Sequence, residues 1–348
     1  MYFGGVFLRE RDIRENLKRI GLITSAIFIF MIIIPFILMG ASIDDFTSPK
    51  GTGEANSNEI IVKGNNKVKV YRTNTKKIEE MDVEEYILGV VSSEMPAKFE
   101  LEALKAQAVA ARTFYYSKRE KKCNLSKGAE ICDGVHCQAY MSKNERMSKW
   151  ANDEKNDNYN KIKRAVQETS GMVLSYGGEL VKYPQFFSTS SGKTENSEDV
   201  FSNTVPYLKS TSSPGEEISN VYQTEKEISN KEFVNVINSN YKKAALKESD
   251  IKSKISIKSR TEGGSVNDIQ IGGVTIKGTE FRKLFDLRSA NFNIEYLKDK
   301  VKIVCKGNGH GVGMSQWGAN VMAKNGKKYD EILKHYYSGV DVKKVVYR

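Results

Sequence analysis

Residues 20–42, IGLITSAIFIFMIIIPFILMGAS, carry no charged side chain. The run is too long and too uniformly apolar to lie on one face of a globular domain, and it meets the requirement of about 20 apolar residues for crossing a bilayer core. A secretory signal is the alternative, but its apolar part spans only about 7–15 residues and a clean small-residue cleavage site does not follow Ala41. Pro35 is compatible with a spanning helix, where neighbouring groups re-satisfy the freed backbone. The preceding flank holds Arg9, Arg11, Arg14, Lys18 and Arg19 against Glu10, Asp12 and Glu15, and Asp44 and Asp45 follow the run. That asymmetry places the N-terminus in the cytoplasm. The expected organisation is a cytoplasmic flank (1–19), a transmembrane helix (20–42), a small-residue polar tether (43–58) and an extracytoplasmic domain (59–348).

The chain carries a net charge of +11, and removing the flank's surplus of two leaves +9 on the outward-facing part. A basic surface suits a polyanion such as anionic lipid, a cell-wall polymer or nucleic acid, and the outward placement sets nucleic acid aside. Lysines that merely keep a domain soluble are the plainer explanation. With 39% hydrophobic and 28% charged residues the composition is that of an ordinary folded protein, so function has to be read from local features.

Folding is expected from Glu59. IIVK and KVKVYRT read as two short strands joined by a tight turn at Gly64 to Asn66. In DVEEYILGVVSSEM, Asp82 and Glu85 have capping-box spacing and open a helix. Pro96 ends it, because the residue before a proline is pushed out of helical geometry. A second helix starts near Glu100, with Leu101, Leu104, Ala108, Ala111 and Tyr115 as an apolar stripe. Lys105 and Arg112 lie two turns apart on one side of it. Glu94 is left at the corner between the helices.

Residues 143–160 are polar and patternless, a surface excursion before a helix at about 161–169. MVLSY, Gly177-Gly178 and ELVKYPQFF read as a hairpin. Residues 216–250 are charged and mostly helical in pattern, with Phe233, Val236 and Ile237 as a weak apolar face, and read as an insertion. Strands are expected at KISIKSR, DIQIGGVTIKG, FNIEYL and KVKIVCK, and a helix at TEFRKLFDL. Strands and helices do not alternate as βαβ units, so the expected class is α+β, packed around a cleft.

Several residues invite a chemical reading. Glu94 by itself is one of 43 acidic residues, and a helix-end carboxylate is ordinarily a solvated charge. Ser188, Thr189, Ser190, Ser191 and Gly192 form a hydroxyl-rich turn able to bind sugar hydroxyls, although small polar residues after a strand are usually turn formers. Gly307, Gly309, Gly311 and Gly313 alternate around His310, but their spacing fits neither a dinucleotide fingerprint nor a P-loop, so nucleotide binding is set aside. Cys123, Cys132, His136 and Cys137 could hold a structural zinc, though their spacing is not that of a standard finger. The rival is a Cys132 to Cys137 disulfide, leaving Cys123 unpaired or joined to Cys305. Metal is favoured because His136 is otherwise unexplained among only three histidines.

EMPAKFELEALKAQAVAARTFYY, FFSTSSGKTENSEDVF with VPYLKS after it, FRKLFDLRSANF and GNGHGVGMSQWGA together resemble the successive blocks of the stage II sporulation protein D family, from about residue 59 to 345. The resemblance implies a lytic transglycosylase that cuts peptidoglycan glycan strands during forespore engulfment, with Glu94 matching the catalytic glutamate of the EMP block. One carboxylate suffices for that reaction, because no water attacks; ordinary glycoside hydrolysis uses two. Glu94 must then hold its proton near neutral pH, which desolvation beside Met95 favours and a close Lys105 or Arg112 opposes.

Those two bases are candidates for the muramic acid carboxylate, Arg112 by two parallel hydrogen bonds. Ser188, Thr189, His310 and Gln316 complete the expected substrate site beside Glu94. Tyr207 is a candidate for stacking on a sugar ring, with a core tyrosine as the equal alternative. Trp317 is read as packing. Phe187 stands where many members carry histidine, and Ser191 where they carry a second glycine. No catalytic cofactor is expected. The resemblance also implies a substrate stripped of stem peptides by an amidase, stage II sporulation protein P, and an assembly with stage II sporulation protein M. The rival activity is glycan binding that enhances a partner amidase without cutting.

Overall fold

The chain enters the fold as a short strand, β1 (Glu59–Val62), with Ile60 and Val62 turned inward. The computed structural model describes residues 58–348 apart from 120, 122, 135, 136 and 202, and the expected span at 20–42 and most of the tether lie outside the described residues. Among the described residues no helix is long and apolar enough to cross a membrane. The expected hairpin between β1 and β2 (Lys67–Arg72) does not form. β1 pairs in parallel with the chain's final strand, while β2 pairs with β3 (Lys77–Asp82) and β4 (Ile131–Cys132). Gly64, at φ +97°, redirects the chain so that the Arg119 guanidinium packs where a side chain would begin.

Helix α1 (Val83–Glu94) begins after Asp82, but the expected capping box is absent: the Asp82 carboxylate faces Lys67 at 3.0 Å and Asn66 at 3.2 Å instead. Met95, extended at φ −120° and ψ 144°, ends the helix before Pro96 as expected. Helix α2 (Leu101–Arg119) is not striped. Every residue from Ala106 to Tyr116 is buried, because α1, three later helices and a strand enclose it. Its alanines explain the sequence, since small side chains let neighbours approach from all sides; a leucine there would overpack, at about 1–3 kcal/mol.

The polar stretch after α2 is more ordered than expected. It contains α3 (Lys143–Met147), opened by a Ser142/Glu145 capping box, and α4 (Lys155–Glu168), which starts six residues ahead of the expected position. β5 (Met172–Tyr176) and β6 (Glu179–Leu180) form the hairpin at Gly177-Gly178, both at positive φ. The second arm stops short of Pro184, and β7 (Phe186–Phe187) joins another ladder. Helix α5 (Ser197–Phe201) follows.

A second core begins with β8 (Gln223–Ser229), a strand where helix was expected, and α6 (Asn230–Asn240). β8 buries only Ile228, and its charges pair across the sheet, Glu227 with Lys300 and Glu225 with Lys302, both at 3.1 Å. After α7 (Ile251–Lys254) come β9 (Ile255–Arg260), β10 (Val266–Ile271), β11 (Val274–Lys277), α8 (Gly278–Leu284), β12 (Phe292–Tyr296) and β13 (Lys300–Lys306), close to the expected segments. Two three-stranded antiparallel sheets, β9–β10–β11 and β8–β13–β12, share the Phe233, Phe281, Phe285 and Phe292 cluster.

The chain then returns through β14 (Met314–Ser315), paired in parallel with β7, to α9 (Gln316–Lys324), α10 (Tyr329–Tyr336) and β15 (Val340–Tyr347). α4, α9, α10 and β5 are the elements packed on α2 beside α1. β15 lies between β1 and β5 in the order β1–β15–β5–β6. The class is α+β.

Candidate active site at the Glu94 corner

Glu94 is the last residue of α1, and the extended Met95–Pro96 link turns its side chain toward two elements distant in sequence. The Ala139 N–H donates to Glu94 Oε1 at 2.9 Å, and the Gln316 side chain, from the first residue of α9, faces the same carboxylate closely enough to favour its charged form. Met95, Ala97 and Phe99 are buried beside it, and Phe99 meets Trp317 edge-on at 4.8 Å. Trp317 therefore packs, as expected. Burial pushes the Glu94 carboxyl above its ordinary value, and the two donors pull it partly back. Gln316 Nε2 also reaches Gln107 Oε1 at 3.3 Å, on the enclosed face of α2.

The two basic candidates are committed elsewhere. Arg112 has no solvent exposure; it binds Glu84 by two hydrogen bonds, 2.9 and 2.6 Å, and donates to the Met172 carbonyl at 3.0 Å. Lys105 is held between Glu102 (2.8 Å) and Glu168 (2.6 Å). The reason is topological: spacing puts both on one side of α2, but that side is covered by α1, α4 and β5, so Glu84 of α1, Glu168 of α4 and Glu102 of α2 itself take the charges. Their expected role with a sugar carboxylate gives way to a structural one.

Tyr207 is 7% exposed, its ring against Tyr176 and its hydroxyl accepting from Lys182 N–H at 3.3 Å, so the core alternative holds over sugar stacking. The Thr189 hydroxyl is buried against Ser219 at 3.3 Å and is likewise turned away from solvent. Ser188 stays half-buried, and its carbonyl accepts from Trp317 N–H at 3.0 Å, which brings it to the start of α9. Glu94, Gln316 and Ser188 thus share one neighbourhood.

His310 has both ring nitrogens engaged: Val312 N–H donates to Nδ1, and Nε2–H donates to the Phe186 carbonyl, each at 3.1 Å. Phe187 and Phe201 flank the ring. Burial, aided by the charge of Arg282, pushes the imidazole down to about 4, so it is a neutral packing element rather than a cleft acid. A depressed folded value means its stability contribution is full above the ordinary 6.5 and is lost as pH falls toward about 4. Thermal scans on either side of that interval are expected to show a lower midpoint on the acid side, and His310→Phe to lose that part of the slope.

The sulfurs of Cys123, Cys132 and Cys137 lie within 4.8 Å of one another. His136 lies outside the described residues. Cys132 ends β4, where the next residue, Asp133, is clamped by Arg72 at 3.0 Å. Cys305 belongs to the second core, so the rival pairing with Cys123 does not form here. A tetrahedral zinc–thiolate centre separates sulfurs by about 3.8 Å, which this cluster accommodates with little movement.

Residues 71–176, which include Glu94, α2 and the thiol cluster, match the family described as Stage II sporulation protein. Stage II sporulation protein D of Bacillus amyloliquefaciens is 41% identical over 279 residues, 79% of this chain and 78% of that protein. Its counterpart in Bacillus subtilis (strain 168) is 35% identical over 338 residues, 94% of this chain and 96% of that protein. The chain belongs to the stage II sporulation protein D family. An amidase enhancer of Bacillus subtilis (strain 168) is also similar, 31% identical over 300 residues, 72% of this chain but 39% of that protein. Membership of the stage II sporulation protein D family supports a role in sporulation.

Proposed function

We propose that this family member is a membrane-anchored lytic transglycosylase that cleaves denuded peptidoglycan strands, with Glu94 as acid and then base. The observation that supports it is the state of Glu94: burial raises its pKa, and the two groups that oppose the rise are uncharged donors. In the first step the carboxylic acid gives its proton to the glycosidic oxygen as the bond from C1 to that oxygen breaks. In the second, the carboxylate takes the proton of the C6 hydroxyl while O6 bonds to C1, closing the 1,6-anhydro ring and restoring the acid. Ala139 N–H and the Gln316 amide hold the carboxylate that exists between the two steps. Because the acid form starts the reaction, the rate should fall as pH rises through the raised Glu94 value. Purified chain acting alone on denuded glycan, read by mass spectrometry, tests the reading; the expected products end in 1,6-anhydro-muramyl residues.

Amidase enhancement without cleavage is the second reading, favoured by the similarity to the amidase enhancer. It expects the same assay to release no sugar product, and amidase activity to rise when the chain is added. The charge asymmetry around residues 20–42 supports placement in the membrane with the domain outside, in the engulfing septum, where stage II sporulation proteins P and M are the proposed partners.

The thiol cluster suits a structural zinc held by Cys123, Cys132, Cys137 and His136. Zinc there would stiffen the loop that presents the Ala139 N–H, two residues beyond Cys137. About one zinc per chain is expected by elemental analysis under reducing conditions, and Cys132→Ser should lose it. Absence of zinc together with missing thiols would favour the disulfide.

A further inference from the structure

Glu216 has no solvent exposure, yet its carboxylate carries four hydrogen bonds. Ser190 Oγ and Ser213 Oγ donate to Oε1, each at 2.6 Å; Ser315 Oγ at 2.6 Å and Ser190 N–H at 2.8 Å donate to Oε2. Since the Ser213 proton points to the carboxylate, the Tyr336 hydroxyl, 2.6 Å away, donates to Ser213. The closeness is enforced by Gly318 in α9, where a Cβ would lie 2.1 Å from Tyr336 Oη and 2.7 Å from Glu216 Oε1.

The cluster therefore ties together the loop after β7, the turn containing Glu216, and the start of α9. Ser315 is the N-cap of α9: its oxygen accepts from Gly318 N–H at 3.3 Å while its proton goes to Glu216. The residue after this N-cap is Gln316, whose amide meets Glu94. A serine alone can cap a helix, so capping does not require the buried carboxylate. Burying it without a cation is unfavourable unless its acceptors are filled. What the carboxylate adds is direction, because it fixes the Ser315 hydroxyl and with it the first turn of α9.

We propose that Glu216 is a positioning residue, which acts through Ser315 to set the Gln316 amide against Glu94. This rests on the reading of Glu94 as the acid and base. The groups facing Glu216 are the hydroxyls of Ser190, Ser213 and Ser315, with the phenols of Tyr336 and Tyr222 beyond them. Those facing Glu94 are the Ala139 N–H and the Gln316 amide.

The test is a double-mutant cycle on the full chain in detergent, following the Glu94 carboxyl by carbon-13 NMR titration, with the signal assigned by its loss in Glu94→Gln. Glu216→Gln is expected to move the Glu94 midpoint upward, as Gln316→Ala does, and the double variant no further. Ser315→Ala, which leaves Glu216 in place, should reproduce the shift if Glu216→Gln folds poorly. Ser213→Ala, on the far side of the cluster, should not. On denuded glycan, kcat should fall roughly tenfold to a hundredfold in Glu216→Gln with KM held. An unmoved Glu94 midpoint in both Glu216→Gln and Ser315→Ala, or a shift that adds to that of Gln316→Ala, overturns the proposal. Failure of the parent reading looks different: wild-type chain then releases no anhydro product, while the titration cycle still decides the role of Glu216.

Discussion

Glu94→Gln is expected to abolish 1,6-anhydro-muramyl products, with a loss of at least about 10²–10⁴ in kcat, the range supplied by one positioned acid or base. The full loss is expected because the same carboxyl serves both steps. Glutamine can still accept from Ala139 N–H, so the corner should keep its shape, which circular dichroism would verify. The same variant should also be more stable than wild type at neutral pH. A carboxyl whose folded value is raised contributes stability below its ordinary value and loses it as pH rises through the raised one, whereas an amide does not titrate. Thermal midpoints of the two proteins should therefore converge in acid and separate above the ordinary carboxylate range. Unchanged product yield would end the transglycosylase proposal. Equal midpoints at all pH values would show that Glu94 is not desolvated.

Arg112→Met is expected to lower stability and spare substrate binding. Removing a fully buried guanidinium strands Glu84, and breaking such pairs typically costs 3–5 kcal/mol; with Glu84 36% exposed, about 3 kcal/mol is the reasonable figure. For a domain of this size that corresponds to a midpoint lower by roughly 6–12 °C. KM for denuded glycan, measured well below the midpoint, should stay within about twofold of wild type, within the usual small effect of a substitution away from a binding site. A raised KM with an unchanged midpoint would restore the role that helix spacing suggested for this arginine.

Arg112 also shows how far the sequence could be read. Periodicity told correctly that Lys105 and Arg112 share a side of α2, but it carries no information on what covers that side. The answer came from Glu84, 28 residues earlier, and from Glu102 and Glu168. The corner itself was legible, because Pro96 acts on its neighbours through local sterics, and the same holds for the Gly177-Gly178 turn and the strands from Ile255 onward. β8 was hidden because six of its seven residues are not buried and the face it shares with Ile228 carries Thr224 and Lys226, leaving Ile228 too isolated to show a period of two. Glu216 was hidden more completely: nothing in PGEEIS distinguishes an acid that meets three serines, 3, 26 and 99 residues away, from one that meets water. Gln316 was found through the family resemblance, and its contact with Glu94 gives that choice a physical basis.

The parallel ladder between β1 and β15 bears on how the molecule is made. Glu59 lies opposite Lys344, and β15 supplies the middle of that sheet. Among the described residues β1 pairs with β15 alone, so this layer completes only after β15 has emerged, late in biogenesis. Under the outward placement proposed above, that delay would keep the chain pliable during export and couple maturation to the arrival of β15.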